Sequence, residues 1–141
     1  MRHLIVALAL IAARPGSLAA QQDSTVIAAA RIAAERWLVL VDQGAWAASW
    51  DSASAGFRQA VTAAAWTAAL RQARGPYEPF GGRHLLGSQY QATLPNAPPG
   101  PYVILQYQTQ VSQGRTVIET VVPGRDPDGR WRVGGYFIRP R

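Results

Sequence analysis

Glu119 is the residue of this chain whose surroundings best suit chemistry. It lies in the run Arg115-Thr116-Val117-Ile118-Glu119-Thr120-Val121-Val122, the only acid inside a segment that alternates like a strand. Val117 and Val121 share its face. If that face is covered, the carboxylate needs an arginine partner, or desolvation raises its pKa. Asp51, directly after Trp50, is a second acid that a helical layer could bring near, and Arg83 is a cation able to clamp an anion. Two carboxylates and an arginine suffice for general acid–base work. The same residues also fit a structural role, with Asp51 ending a helical turn and Glu119 paired across strands to an arginine such as Arg132. Which face carries Glu119 stays open, because Thr116, Ile118, Thr120 and Val122 are nearly as apolar as the opposite set.

Other chemistries fall away on residue counts. There is no cysteine, and the two histidines are His3 and His84. That excludes cysteine nucleophiles, thiolate zinc centres and HExxH sites, and neither metal nor cofactor is expected. A Ser–His–Asp triad would rest on His84 with no GxSxG turn to carry its serine. His84 is instead expected as a hydrogen-bonded side chain where a strand begins. Gly81-Gly82-Arg83 lacks the spacing and the lysine of a phosphate loop. Asp126-Pro127-Asp128-Gly129 lacks the distal glutamate of a calcium loop and reads as a hairpin turn. Aromatic side chains remain. Trp46, Trp50, Trp66, Tyr107, Trp131 and Tyr136 are candidates to line a pocket, although core packing is their simpler use.

The elements that must position these residues divide the chain in two. Asp23 or Ser24 is a suitable cap for a helix from Thr25 to Gln43, which Gly44 then stops. Ile27, Ala30, Ala34, Trp37 and Val41 recur at helical spacing on it. The run Trp37–Val41 is apolar all round, so burial on more than one side is expected. A short second helix carries Trp46 and Trp50 one turn apart, and Thr62 caps a third through Arg74, with Trp66 and Leu70 on one face. The Ser/Ala-rich stretch around Phe57 reads as a connection. After Gly75-Pro76 the period changes to 2. Strands are expected over Arg83–Leu94, Pro101–Ser112, Arg115–Val122 and Arg130–Arg139, divided by turn formers. Val103, Leu105 and Tyr107 oppose Gln106, Gln108 and Gln110, while Trp131, Val133, Gly135 and Phe137 oppose Arg130, Arg132 and Tyr136. One buried and one wet face is the mark of an antiparallel sheet. The fold class is α+β, with N-terminal helices packed on one face of a C-terminal four-stranded antiparallel sheet.

The N-terminus bears on location. Arg2 and His3 precede the apolar run Leu4–Ala13, Arg14-Pro15-Gly16 breaks it, and Ser17-Leu18-Ala19-Ala20 offers small residues for cleavage. That is the layout of a secretory signal peptide over residues 1–20, cleaved after Ala19 or Ala20. Residues 21–141 then form a single domain, exported to the periplasm or beyond, with no transmembrane segment. Without disulfides it depends on its core, for which five Trp, five Tyr and three Phe supply area. All its basic residues are arginine. Removing Arg2 and Arg14 from a net charge of +6 leaves +4, gathered in Arg125, Arg130, Arg132, Arg139 and Arg141. Such a cluster suits an anionic surface or simply a solvated strand face. It lacks the basic-aromatic motif of a nucleic-acid module, so no nucleic-acid partner is expected.

The landmarks also carry a family resemblance. They are the string from Trp37 to Ser54 (WLVLVDQGAWAASWDSAS), Phe57-Arg58, Trp66, Gly82-Arg83, Leu94-Pro95 with Gly100 and Tyr102, Glu119-Thr120, and Asp128-Gly129-Arg130-Trp131-Arg132-Val133-Gly134-Gly135-Tyr136. In this order the chain resembles the exported bacterial family catalogued as domain of unknown function 4019, with Trp46 where a smaller aromatic is expected. The resemblance implies an architecture and an exported setting, and no activity. A looser similarity is to the cone-shaped domains like nuclear transport factor two, where helices and a bent sheet enclose a pocket. The leading functional expectation is a non-catalytic module that binds a small apolar or amphipathic ligand, or an envelope protein partner, between helices and sheet. The alternatives are an acid–base enzyme using Glu119 and Asp51 with Arg83, and an arginine-rich scaffold at the cell envelope.

Overall fold

The computed structural model describes residues 15–141, with side chains from Leu18 onward. Residues 1–14, most of the expected export signal, lie outside it. The first helix, α1, spans Pro15–Asp42, so the expected cap at Asp23 or Ser24 does not form. Leu18-Ala19-Ala20-Gln21-Gln22 are good helix formers, and the helix runs on through the cap position. The hydroxyls of Ser24 and Thr25 turn back to the Gln21 carbonyl at 2.8 and 3.0 Å, an outlet that interior serines and threonines use. Residues 18–25 are exposed, and the first buried side chain is Ala30. Ala30, Ala34, Trp37 and Val41 are buried as their period requires, with Leu38 beside them. Of the run expected to be buried on more than one side, Trp37, Leu38 and Val41 are buried, while Val39 is 51% exposed. Gly44, at φ +74°, supplies the left-handed stop.

Three shorter helices follow. They are α2 (Trp46–Asp51), α3 (Ala55–Ala60) and α4 (Ala63–Arg74). Helix α3 was not expected, because one short helical segment shows too little apolar period to register. Its cap was visible nonetheless: Ser54 Oγ accepts from the Phe57 N–H at 3.3 Å. Thr62 caps α4 as expected, accepting from Ala65 at 3.2 Å.

The strands are β1 (Arg83–Gln91), β2 (Tyr102–Gln110), β3 (Thr116–Arg125) and β4 (Trp131–Pro140), paired antiparallel in the order β1-β2-β3-β4. The α+β class and the meander are as the sequence indicated, and the turn at Asp126–Gly129 closes with a 2.8 Å bond from Gly129 to Asp126. Strand β2 alternates as expected, with Val103, Leu105 and Tyr107 buried beneath the helices.

Strand β4 departs from its expected alternation. Val122 pairs with Gly135, but Pro123 pairs with Val133, which makes Gly134 an extra, bulged residue. A bulge reverses the side-chain alternation beyond it. Val133 and Tyr136 therefore face the helices, and Phe137, expected with Val133, is 63% exposed on the far face. The register shift also falls beside Pro123, which has no N–H to donate. Strand β3 consequently continues past its expected end at Val122.

Candidate functional site

Glu119 lies on the helix-covered face and is fully buried, which decides the question its neighbours left open. Its oxygens accept from Arg83 at 2.7 and 3.2 Å and from the hydroxyls of Thr109 and Tyr136. A carboxylate has about four acceptor positions, so these donors use them up. Arg74, also fully buried, stands 3.6 Å from the same carboxylate. It donates to the Tyr136 hydroxyl at 2.9 Å, to Asp42 at 2.8 Å and to Glu78 at 2.9 Å, and stacks on Phe80. Arg83 reaches Asp42 as well, at 2.9 and 3.1 Å.

Helix ends and a strand start build this cluster. Asp42 and Arg74 are the last residues of α1 and α4, and Arg83 is the first of β1. An aspartate at a helix C-terminus is opposed by the helix dipole, and here two guanidinium groups offset that. The helical carboxylate near Glu119 is thus Asp42. Asp51 is exposed at the end of α2. Arg132 does not reach Glu119 across the strands; it binds Asp126 and Asp128, each at 2.9 Å. Of the residues singled out in the sequence, Arg83, Tyr136 and Glu119 are brought together, with Tyr107 opposite Glu119 on β2.

Burial pushes the Tyr107 hydroxyl up to about 12, and burial with the Glu119 charge pushes Tyr136 higher still. For Arg83, burial opposes the charge, but hydrogen bonds with Asp42 and Glu119 outweigh it and raise its pKa. A phenol whose folded pKa is raised contributes stability that is complete below its unfolded value and lost as pH rises through the folded one. Stability is therefore expected to decline from pH 10.0 to about 12 and beyond, and Tyr136→Phe should flatten the upper part of that decline. Urea midpoints measured across the alkaline range check this; midpoints that do not move with pH would reject it.

The tryptophans are organised around Ser49, which is fully buried. Trp37 donates its indole N–H to the Ser49 carbonyl at 2.8 Å, and Trp66 to the Ser49 hydroxyl at 3.0 Å. That hydroxyl donates to the Trp46 carbonyl at 2.7 Å. Trp46 and Trp50 give their indole N–H groups to Val41 and Val61 at 3.2 and 2.7 Å. Trp46, Trp50, Trp66, Tyr107, Trp131 and Tyr136 lie in the core or against it. The space between helices and sheet, expected to hold a ligand, is filled by these rings and by the ion cluster. His84 does lie where a strand begins, second in β1, but it is exposed and its ring has no hydrogen-bond partner among the described residues.

Open space lies elsewhere. A cavity of about 650 Å³ occupies the far face of the sheet. Val122, Gly124 and Phe137 form its floor, and α3 and the Pro98-Pro99 loop its walls. Only glycine fits at 124, where a Cβ would lie 2.7 Å from the Tyr102 ring. A smaller groove of about 340 Å³ runs between α1 and the start of β4, beside Trp131. Glu119 and Asp51 border neither space. Among the described residues no cluster of His, Asp or Glu could hold a metal ion, and no helix is long and apolar enough to cross a membrane.

Helices ahead of a four-stranded meander, with a buried ion cluster between the layers, define a two-layer α+β domain. A family model described as "Protein of unknown function (DUF4019)" matches residues 33–136, and the chain belongs to that family. The matched span contains the whole ion cluster and the β4 bulge. No curated protein and no solved structure matches the chain, so the likeness to cone-shaped domains gains no support.

Sequence reasoning missed Asp42, Arg74, Thr109 and Ser49. Thr109 was the detectable one, since it continues the buried series Val103, Leu105, Tyr107 as its first polar member. Arg74 and Asp42 each precede a helix stop, where a charged residue looks solvated, and nothing local distinguishes them.

Proposed function

We propose that this protein is an exported, non-catalytic binding module whose ligand is an apolar or amphipathic small molecule held on the far face of the sheet. The observation that carries the reading is the cavity of about 650 Å³, with Phe137 63% exposed on its floor. Its size suits a small-molecule site, as do its mainly apolar walls and a polar rim at Arg125 and Asp126. An exposed aromatic in a walled recess is costly to leave wet. The acid–base reading finds less support, because Glu119 is sealed from water and Asp51 stands apart from it.

Export rests on the composition of residues 1–20. Leu18, Ala19 and Ala20, next to the expected cleavage point, are exposed, and the core begins at Ala30.

Native mass spectrometry of the protein recovered from its own host tests both parts. The expected polypeptide begins at Ala20 or Gln21 and carries a reproducible added mass that Phe137→Asp abolishes without unfolding. A full-length polypeptide counts against export. A bare protein, or an added mass that survives in Phe137→Asp, counts against the cavity.

A further inference from the structure

We propose a second binding site, for a small organic anion with a flat apolar body, in the groove between α1 and the start of β4. Two arginines without a carboxylate partner and a tryptophan line it, with Ser52 and the paired Arg132 beside them. Arg36 lies on α1, Trp131 opens β4, and Arg130 directly precedes it. Among the described residues neither Arg36 nor Arg130 has a carboxylate within salt-bridge distance. The nearby acids are already occupied. Asp128 accepts from both ends of the Arg132 guanidinium and from the Arg130 backbone, while Asp126 accepts from Arg132 and from the Ala55 N–H.

Trp131 adds an independent sign. Four of the five tryptophans donate their indole N–H within the protein. Trp131 is the exception among the described residues, and its half-buried ring forms a wall of the groove. Leu40 and Val133 complete an apolar lining. Guanidinium groups bind carboxylates and phosphates through paired, charge-assisted hydrogen bonds, and an indole offers a planar body a face to stack on. The groove, at about 340 Å³, takes a molecule of roughly one ring with an acidic group. It shares no lining residue with the far-face cavity, so this inference stands or falls apart from the proposed function.

The test is a titration of isotope-labelled protein with phenyl phosphate at low salt, followed by the Trp131 indole cross-peak in amide correlation spectra. The expected result is a saturable shift, with affinity about tenfold lower in Arg36→Gln and in Arg130→Gln. Both residues are exposed, so the folded spectrum should persist in the variants. Arg139→Gln, on the far face of β4, should bind as the parent does. Inorganic phosphate should bind at least about tenfold more weakly, and benzyl alcohol should leave the cross-peak in place. A stationary Trp131 signal, or an equal loss in Arg139→Gln, would overturn the site. Equal binding of inorganic phosphate would overturn the requirement for an apolar body.

Discussion

Glu119→Ala should destabilise the fold by about 3–5 kcal/mol, the usual cost of removing one member of a buried ion pair. The loss exceeds the worth of any single contact because of what stays behind. Arg74 remains fully buried with one carboxylate fewer, Arg83 loses two hydrogen bonds, and the Tyr136 and Thr109 hydroxyls lose their acceptor. With native domains stable by only about 5–15 kcal/mol, the variant should stay folded at low temperature and show a much lower urea midpoint. Glu119→Gln keeps the shape but points an amide N–H at groups that are themselves donors, and should fall between. Replacing Glu119 and Arg74 together with leucine and methionine should cost less than Glu119→Ala alone, since no buried charge is then left unpaired: Arg83 keeps Asp42, and Glu78 is exposed to water. A loss under about 1 kcal/mol for Glu119→Ala would show that water reaches the cluster and solvates Arg74.

Trp37→Ala is expected to cost at least as much, about 3–5 kcal/mol for the truncated ring. The ring is 3% exposed and packs against Trp66 and Tyr136 at centroid distances of 5.9 and 5.3 Å. The variant also strands the Ser49 carbonyl, whose backbone ties α2 to α1 through the indole N–H. Trp131→Ala is the internal comparison. Its ring is only partly buried against the core and bonds nothing among the described residues, so a smaller loss, about 1–2 kcal/mol, is expected. Equal losses in the two variants would mean that Trp131 is packed as firmly as Trp37.

Both results bear on how the candidate site was read. Glu119 stood out because an acid among valines is anomalous, and Arg83 because it precedes a strand. The alternation of β2 put Tyr107 on the covered face correctly. Asp51 attracted attention through its neighbour Trp50, yet adjacency in sequence says little about which helix end meets the sheet. Tyr136 was placed on the wrong face of β4, because its position depends on a residue count that the bulge alters.

The sequence by itself determined the α+β class, the order of helices before a meander, the Thr62 cap, the stop at Gly44 and the helix-facing side of β2. Each follows from interactions within a few residues: apolar period, capping hydroxyls and turn formers. Tertiary structure alone decided that Gly134 bulges, that Arg74 and Asp42 join Glu119, and that the larger of the two open spaces lies on the far face of the sheet. The physical reason is common to all three. A bulge is placed by the pairing of two strands, an ion cluster by the meeting of elements far apart in sequence, and a cavity by what the side chains leave unfilled. None of these is encoded in the period of a single segment.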